Sequence, residues 1–170
     1  MEIDFRKVKE QGVELQMHLP WLGMVAVGGT AAAIHAKHRY SADLDYVTPI
    51  LKQEFDLVSQ SLDQWDGWKT NRSNRPVIIL DERHEVELGV RQQIRTIPLE
   101  TEKMEGLIIP TIQESMRIKA FLLGSRKATR DYVDVAALSE AIQMMDAADS
   151  NASSIPGGSI HANNPATCVP

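Results

Sequence analysis

Hydrophobic positions along the chain fall partly in short unbroken runs and partly at steps of three or four, the pattern of strands interleaved with helices. From Met24 to Val27 the chain is apolar, and Gly28-Gly29 stops the run, which predicts a short buried strand and a turn. From Thr30 the sequence is alanine-rich, and alanine loses no side-chain entropy in a helix, so a helix is expected to about Lys37. After the polar corner His38 to Ser41, ADLDYV predicts a second strand with Asp43 and Asp45 on one face and Leu44 and Tyr46 on the other. Thr48-Pro49 then supplies a capping hydroxyl and a first-turn proline. Leu51, Phe55, Val58, Leu62 and Trp65 form one apolar helix face to lie on the sheet, and Asp66-Gly67 ends it.

Before this stretch, residues 3–11 predict a helix with Gly12 as its stop, and 13–17 fit either a strand or a continued helix. After it, Val77–Leu80 and Glu85–Val90 predict a hairpin turning at Asp81–His84 and lying beside the acidic strand. A polar connection and an apolar run at Leu107–Ile109 lead to Thr111 and Glu114, a capping box. The helix it opens carries Ile112, Met116, Phe121 and Leu122 and stops near Gly124, and a final helix turns Val133, Ala137, Leu138, Ile142 and Met145 inward. Together these elements predict an α+β, two-layer fold: a mixed sheet, helices on one face and a helical carboxy-terminal part. The domain is expected to span residues 1–146, with 147–170, rich in small polar residues, Gly and Pro, as a disordered or loosely docked tail.

Composition adds limits. A chain of 170 residues with 43% hydrophobic and 24% charged content fits one globular domain. A single cysteine, Cys168, excludes an internal disulfide and points to the reducing cytoplasm. No window has the length and apolarity of a membrane span. A formal net charge of -5 argues against sequence-independent nucleic-acid binding, which needs many cationic contacts to phosphates.

The chemistry concentrates at residues 24–47. A helix starting straight after two glycines offers unpaired N–H groups and a positive dipole end with no Cβ in the way, a natural phosphate cradle. Two carboxylates side by side repel unless a cation compensates, and oxygen-only donors suit magnesium completed by waters and phosphates. His35 and His38 lack a Cys or acidic partner at metal-ligand spacing, which predicts helix-surface or packing roles and no zinc site.

GGTAAAIHAKHRYSADLD, with Gly28, Gly29, Thr30, Arg39, Ser41, Asp43 and Asp45, resembles the first motif of the nucleotidyltransferase superfamily, most closely its AbiEii/AbiGii-type toxin branch. RIKAFLLGSRKATRDYVDVAAL resembles that branch's carboxy-terminal motif, with Lys119, Arg130, Asp131 and Asp134 at positions that face the nucleotide. The resemblance covers roughly residues 21–140. It implies a third acid on the neighbouring strand, Glu87 first and Glu85 second, since alternation does not fix the register. It further implies that Asp43, Asp45 and Glu87 hold two Mg2+ or Mn2+ ions. Gly28, Gly29, Thr30, Arg39, Ser41, Lys119, Arg130 and Asp131 would bind the nucleotide. The implied activity is transfer of a nucleoside monophosphate from an NTP to a hydroxyl of RNA, such as a tRNA end, or of protein. The implied setting is a toxin with an antitoxin partner, in which a homo-oligomer could complete the substrate site. The alternative is a catalytically weakened module of the same fold that binds nucleotide or antitoxin.

Overall fold

The computed structural model describes residues 4–74 and 78–153. Helix α1 (Phe5–His18) is capped by Asp4, whose carboxylate accepts from the Arg6 N–H. Strand β1 (Val25–Val27), helix α2 (Gly28–Ala36) and strand β2 (Asp43–Thr48) follow as the hydrophobic pattern predicts. Helix α3 (Leu51–Asp63) leads into β3 (Trp68–Asn74), β4 (Ile78–Arg83) and β5 (Val86–Gln92). A small hairpin, β6 (Thr101–Met104) and β7 (Leu107–Pro110), precedes α4 (Ile112–Arg126) and α5 (Thr129–Ser153). The main sheet has the order β1-β2-β5-β4-β3, with β2 and β5 parallel and the other neighbours antiparallel, and β6-β7 is separate. This is the mixed α+β architecture expected.

The alternation in β2 sorts its two faces. Leu44 and Tyr46 are fully buried and join Leu88 and Val90 of β5 in a core closed by Val8 and Leu15 of α1 and by Leu51, Phe55, Val58 and Leu62 of α3. Asp43, Asp45 and Val47 point the other way. Beyond that face, Ala32 of α2, Ile112 of α4 and Leu138 of α5 make a second, smaller cluster that fixes the three helices to one another.

Gly12 does not stop the first helix. It lies in the middle of α1, which settles residues 13–17 as helix. A Cβ at Gly12 would sit 2.2 Å from Leu44 Cδ2 and 2.9 Å from the Tyr46 hydroxyl, which donates to the Gly12 carbonyl at 2.8 Å. Burial pushes the Tyr46 pKa up, so the phenol stays a donor. Gly12→Ala is therefore expected to cost about 1–3 kcal/mol through overpacking against fully buried neighbours, read as a lowered urea midpoint.

Several boundaries differ from the sequence expectation for local reasons. The Thr48 hydroxyl does not cap α3; it donates to the Leu22 carbonyl at 2.6 Å, and the helix begins at Leu51. Strand β3 forms from WKTNRSN, which has no apolar alternation to predict it. The β4–β5 turn sits at His84-Glu85, both with positive φ (50° and 68°), so it is a two-residue hairpin turn placed later than Asp81–His84. Val77, expected to begin a strand, lies outside the described residues, as do Ile3, Cys168 and the rest of 154–170. Helix α4 passes Gly124 and ends at Arg126. The last helix continues past Asp146 to Ser153.

The inward faces of the last two helices also differ. Phe121 is 73% exposed, Val133 45% and Met145 50%, whereas Glu114, Ser115, Lys119, Asp131 and Asp134 are buried. In α5 the buried stripe runs Asp131, Asp134, Leu138 at helical spacing, so charged residues hold positions that an apolar periodicity assigns to core.

Candidate active site

Gly28 and Gly29 open α2 with no side-chain cap, so the first N–H groups of the helix are left for another acceptor. Gly28 has φ of 79°, a conformation that favours glycine. A Cβ at Gly29 would lie 2.7 Å from Ser41 Oγ and 2.8 Å from Arg39 Nη2, so a larger residue there would displace both side chains from the cleft corner. The Thr30 side chain faces inward: it is fully buried and donates to the Asp43 carbonyl at 2.7 Å, tying the helix to the start of β2.

A cleft of about 380 Å³ opens in front of these glycines, with Asp43 and Asp45 on one wall and Lys119, Arg126 and Arg130 on the other. Both aspartates are half-buried. Asp43 Oδ1 accepts from Ser41 Oγ at 2.7 Å, and Asp45 Oδ1 accepts from Arg91 Nε at 3.0 Å. Among the described residues, no protein donor is bonded to either Oδ2. Two hard oxygen donors, two positions apart on one strand and facing open space, fit a magnesium ion whose remaining ligands are waters and phosphate oxygens.

The two candidates for a third acid stand apart from the cleft. Glu87 stands in register with Asp43 across the parallel β2–β5 pair, so the two share a face, but it is exposed and outside the cleft lining. Glu85 is removed from the strand by the turn and pairs with Lys7 at 3.2 Å. Among the described residues no group of three carboxylate, histidine or cysteine side chains stands together as a metal cage.

Opposite the aspartates, buried acids hold the cations in place. Asp134 is fully buried and takes a two-pronged contact from Arg39 (2.7 and 3.0 Å), a bond from His38 Nε2 (2.8 Å) and Lys119 Nζ at 2.5 Å. Asp131, equally buried, is forked by Arg126 at 2.6 and 2.9 Å, with Lys119 at 3.4 Å. Asp131, expected to face the nucleotide, thus lies behind the cations and is not part of the cleft lining. Burial alone would raise the Asp134 pKa, but the bonds from Arg39, Lys119 and His38 outweigh it and hold it at about 2. The Arg126 hydrogen bond lowers Asp131 against the opposing effect of burial. The same two pairings push Arg39 and Arg126 further up.

His35 packs with Nε2 2.8 Å from the Pro110 carbonyl, whereas His38 goes beyond a surface or packing role by bonding to the buried Asp134 carboxylate. Arg39, Ser41, Lys119 and Arg130 all line the cleft, and Arg130 has no carboxylate partner among the described residues. Two further residues line the cleft: Arg126, from the basic group Arg126, Lys127 and Arg130 and given no site role by the resemblance, and Arg91. Period-two counting from Glu87 through Gly89 would have put Arg91 on the Asp45 face.

The sheet and helices that carry this acidic pair and its wall of cations are shared with solved proteins. LnuA, a lincosamide antibiotic adenylyltransferase solved with lincomycin bound, superimposes with a TM-score of 0.61 at 14% identity, covering 79% of this chain and 96% of that one. The antibiotic-resistance factor ANT(2'')-Ia gives 0.57 at 11% identity, over 88% of this chain and 94% of that one. The Megavirus polyadenylate synthase gives 0.53 at 11% identity, over 84% of this chain and 33% of that one. The fold is of the nucleotidyltransferase type. No protein-family model matches the sequence, and no curated protein matches it significantly, so the nucleotidyltransferase likeness rests on architecture. Among the described residues, no helix of this nucleotidyltransferase-type fold is long and apolar enough to cross a membrane.

Proposed function

We propose that the chain is a magnesium-dependent nucleotidyltransferase that moves a nucleoside monophosphate from an NTP to a hydroxyl acceptor. The observation that carries this reading is the half-buried Asp43–Asp45 pair facing the cleft beside the Gly28-Gly29 helix start, with Arg91, Lys119, Arg126 and Arg130 around it. Asp43 and Asp45 would hold a magnesium ion, with Glu87 as the third acid if a second ion is bound. Bound magnesium would lower the pKa of the attacking hydroxyl and neutralise charge on the leaving pyrophosphate.

The chain's own groups do the rest. The first N–H groups of α2 and the positive end of its dipole receive phosphate oxygens. Arg130, without an acid partner among the described residues, is the cation most available to the triphosphate, and Lys119 and Arg39 contribute charge from fixed positions. The acceptor oxygen attacks the α-phosphorus in line, the bond from that phosphorus to the bridging oxygen breaks, and pyrophosphate leaves. The hydroxyl proton passes to a carboxylate, Glu87 in this reading, or to water. Positioning and charge neutralisation supply the rate.

The acceptor class follows from the motif resemblance: an RNA end such as that of tRNA, or a protein hydroxyl, in a cytoplasmic toxin of AbiEii type restrained by an antitoxin protein. The test is incubation with each α-labelled ribonucleoside triphosphate and total cellular RNA or protein, with magnesium and with EDTA. Magnesium-dependent label on either acceptor supports the reading, and label that persists in EDTA overturns the metal-dependent mechanism. A second reading, a weakened fold that binds nucleotide or antitoxin without transfer, draws support from Arg91 on Asp45 and from Glu87 standing outside the cleft lining. Triphosphate binding by calorimetry with no label on any acceptor would favour it.

A further inference from the structure

Along the cleft face of β5, Glu87, Gly89 and Arg91 stand in register with Asp43, Asp45 and Val47. The two aspartates are therefore unequally served. Asp43 has a second carboxylate as its cross-strand neighbour, and Asp45 has a glycine, which leaves the space beside it to the side chain of Arg91. Arg91 reaches diagonally into that space, its Nε 3.0 Å from Asp45 Oδ1, with both side chains still substantially exposed (41% and 32%). Lys119, Arg39 and Arg126 are all locked onto buried acids, so Arg91 is the cleft cation whose anchor is itself a candidate metal ligand.

A partly exposed ion pair of this kind is weak, and it is readily exchanged for a stronger partner. A divalent ion approaching Asp45 meets a carboxylate already neutralised and a positive charge beside it. A triphosphate arriving with the metal changes both terms. It takes up the arginine fork with its own oxygens and returns Asp45 to the ion.

Resting on the transferase reading above, we infer that Arg91 is a positioning residue that makes metal occupancy depend on the nucleotide. It occupies Asp45 when the cleft holds no triphosphate and moves to a phosphate oxygen when the metal and triphosphate enter together. Its consequence is coupling: the metal alone binds poorly, and the metal with triphosphate binds well.

The test uses the full chain with Arg91→Gln and Arg91→Lys, titrated calorimetrically first with Mn2+ alone and then with each of the four ribonucleoside triphosphates in excess Mg2+. Arg91→Gln is expected to bind Mn2+ alone about three- to tenfold more tightly than the native chain, since the competing cation is gone. The same variant should bind the triphosphate about tenfold or more weakly. Arg91→Lys, which keeps the charge, should stay close to native for Mn2+ and recover most of the triphosphate affinity. Opposite signs for the two ligands are the signature. If Arg91→Gln weakens both, or changes neither, the inference is overturned while the transferase reading stands. If the native chain binds neither Mn2+ nor any triphosphate, both fall. A circular-dichroism melt of each variant checks that folding is retained.

Discussion

Asp43→Ala combined with Asp45→Ala is expected to reduce nucleotidyl transfer by at least about a thousandfold while leaving the fold in place. The size follows from what those oxygens do in the proposed reaction. A bound divalent ion contributes several kcal/mol of charge stabilisation at the transferring phosphorus, and each 1.4 kcal/mol is about a factor of ten in rate. Stability should move little, within about 1 kcal/mol, for a structural reason. Both aspartates are half-buried at a cleft wall, their mutual repulsion is relieved, and Arg91 is exposed enough to be rehydrated when Asp45 is lost. Label transfer measures the first quantity and urea unfolding the second. Transfer that survives the double substitution sinks the mechanism; loss of transfer accompanied by unfolding is resolved by Asp43→Asn plus Asp45→Asn, which keeps the shape and removes the charge.

Asp134→Ala should have the opposite profile, a large loss of stability. This one carboxylate is fully buried and balances Lys119, His38 and the Arg39 fork. Removing it leaves a buried lysine without one of its two acids, and breaking one side of a buried charge network costs about 3–5 kcal/mol. That is a large part of the 5–15 kcal/mol by which domains are usually stable. A pH dependence accompanies it. The folded-state pKa of about 2 lies below the ordinary value of 3.8, so the stabilisation is complete above about pH 4 and is lost as pH falls through 2. The gap corresponds to about 2–3 kcal/mol. Urea unfolding of the native chain from pH 6 to pH 2 should show this decline, and Asp134→Asn should start lower and fall less. Parallel acid limbs for the two chains would exclude Asp134 as its source.

The parts of the molecule legible in the sequence are those where one physical rule acts alone. The apolar run at Met24–Val27, the glycine corner and the alternation of Asp43 and Asp45 with Leu44 and Tyr46 all needed only local reasoning, and the structure places them as expected. The apolar face of α3 was equally plain. Polar burial leaves no such local pattern. In α5 the inward positions belong to Asp131 and Asp134, whose partners come from distant elements, so a search for apolar period turned the helix toward Val133 and Met145 instead. Gly12 looked like a stop because sequence carries no sign that Leu44 and Tyr46 press against it. Arg91 lies on the same face of the same strand as Glu87, but its place beside Asp45 follows from the pairing of β5 with β2, which no local pattern carries.

The parallel pairing of β2 with β5 joins segments separated by α3 and the β3–β4 hairpin, and the cation wall comes from α4 and α5, later still in the chain. The two halves of the cleft are thus made at different times as the polypeptide is synthesised: the Asp43–Asp45 pair, the glycine corner, Arg39 and Arg91 first, and Lys119, Arg126 and Arg130 last. Until the carboxy-terminal helices dock, the nascent chain lacks three of the cleft's cations, and Arg39 lacks the Asp134 carboxylate that fixes it. In the proposed transferase, the complete cleft is therefore expected late in folding, after non-local contacts that are slow to form.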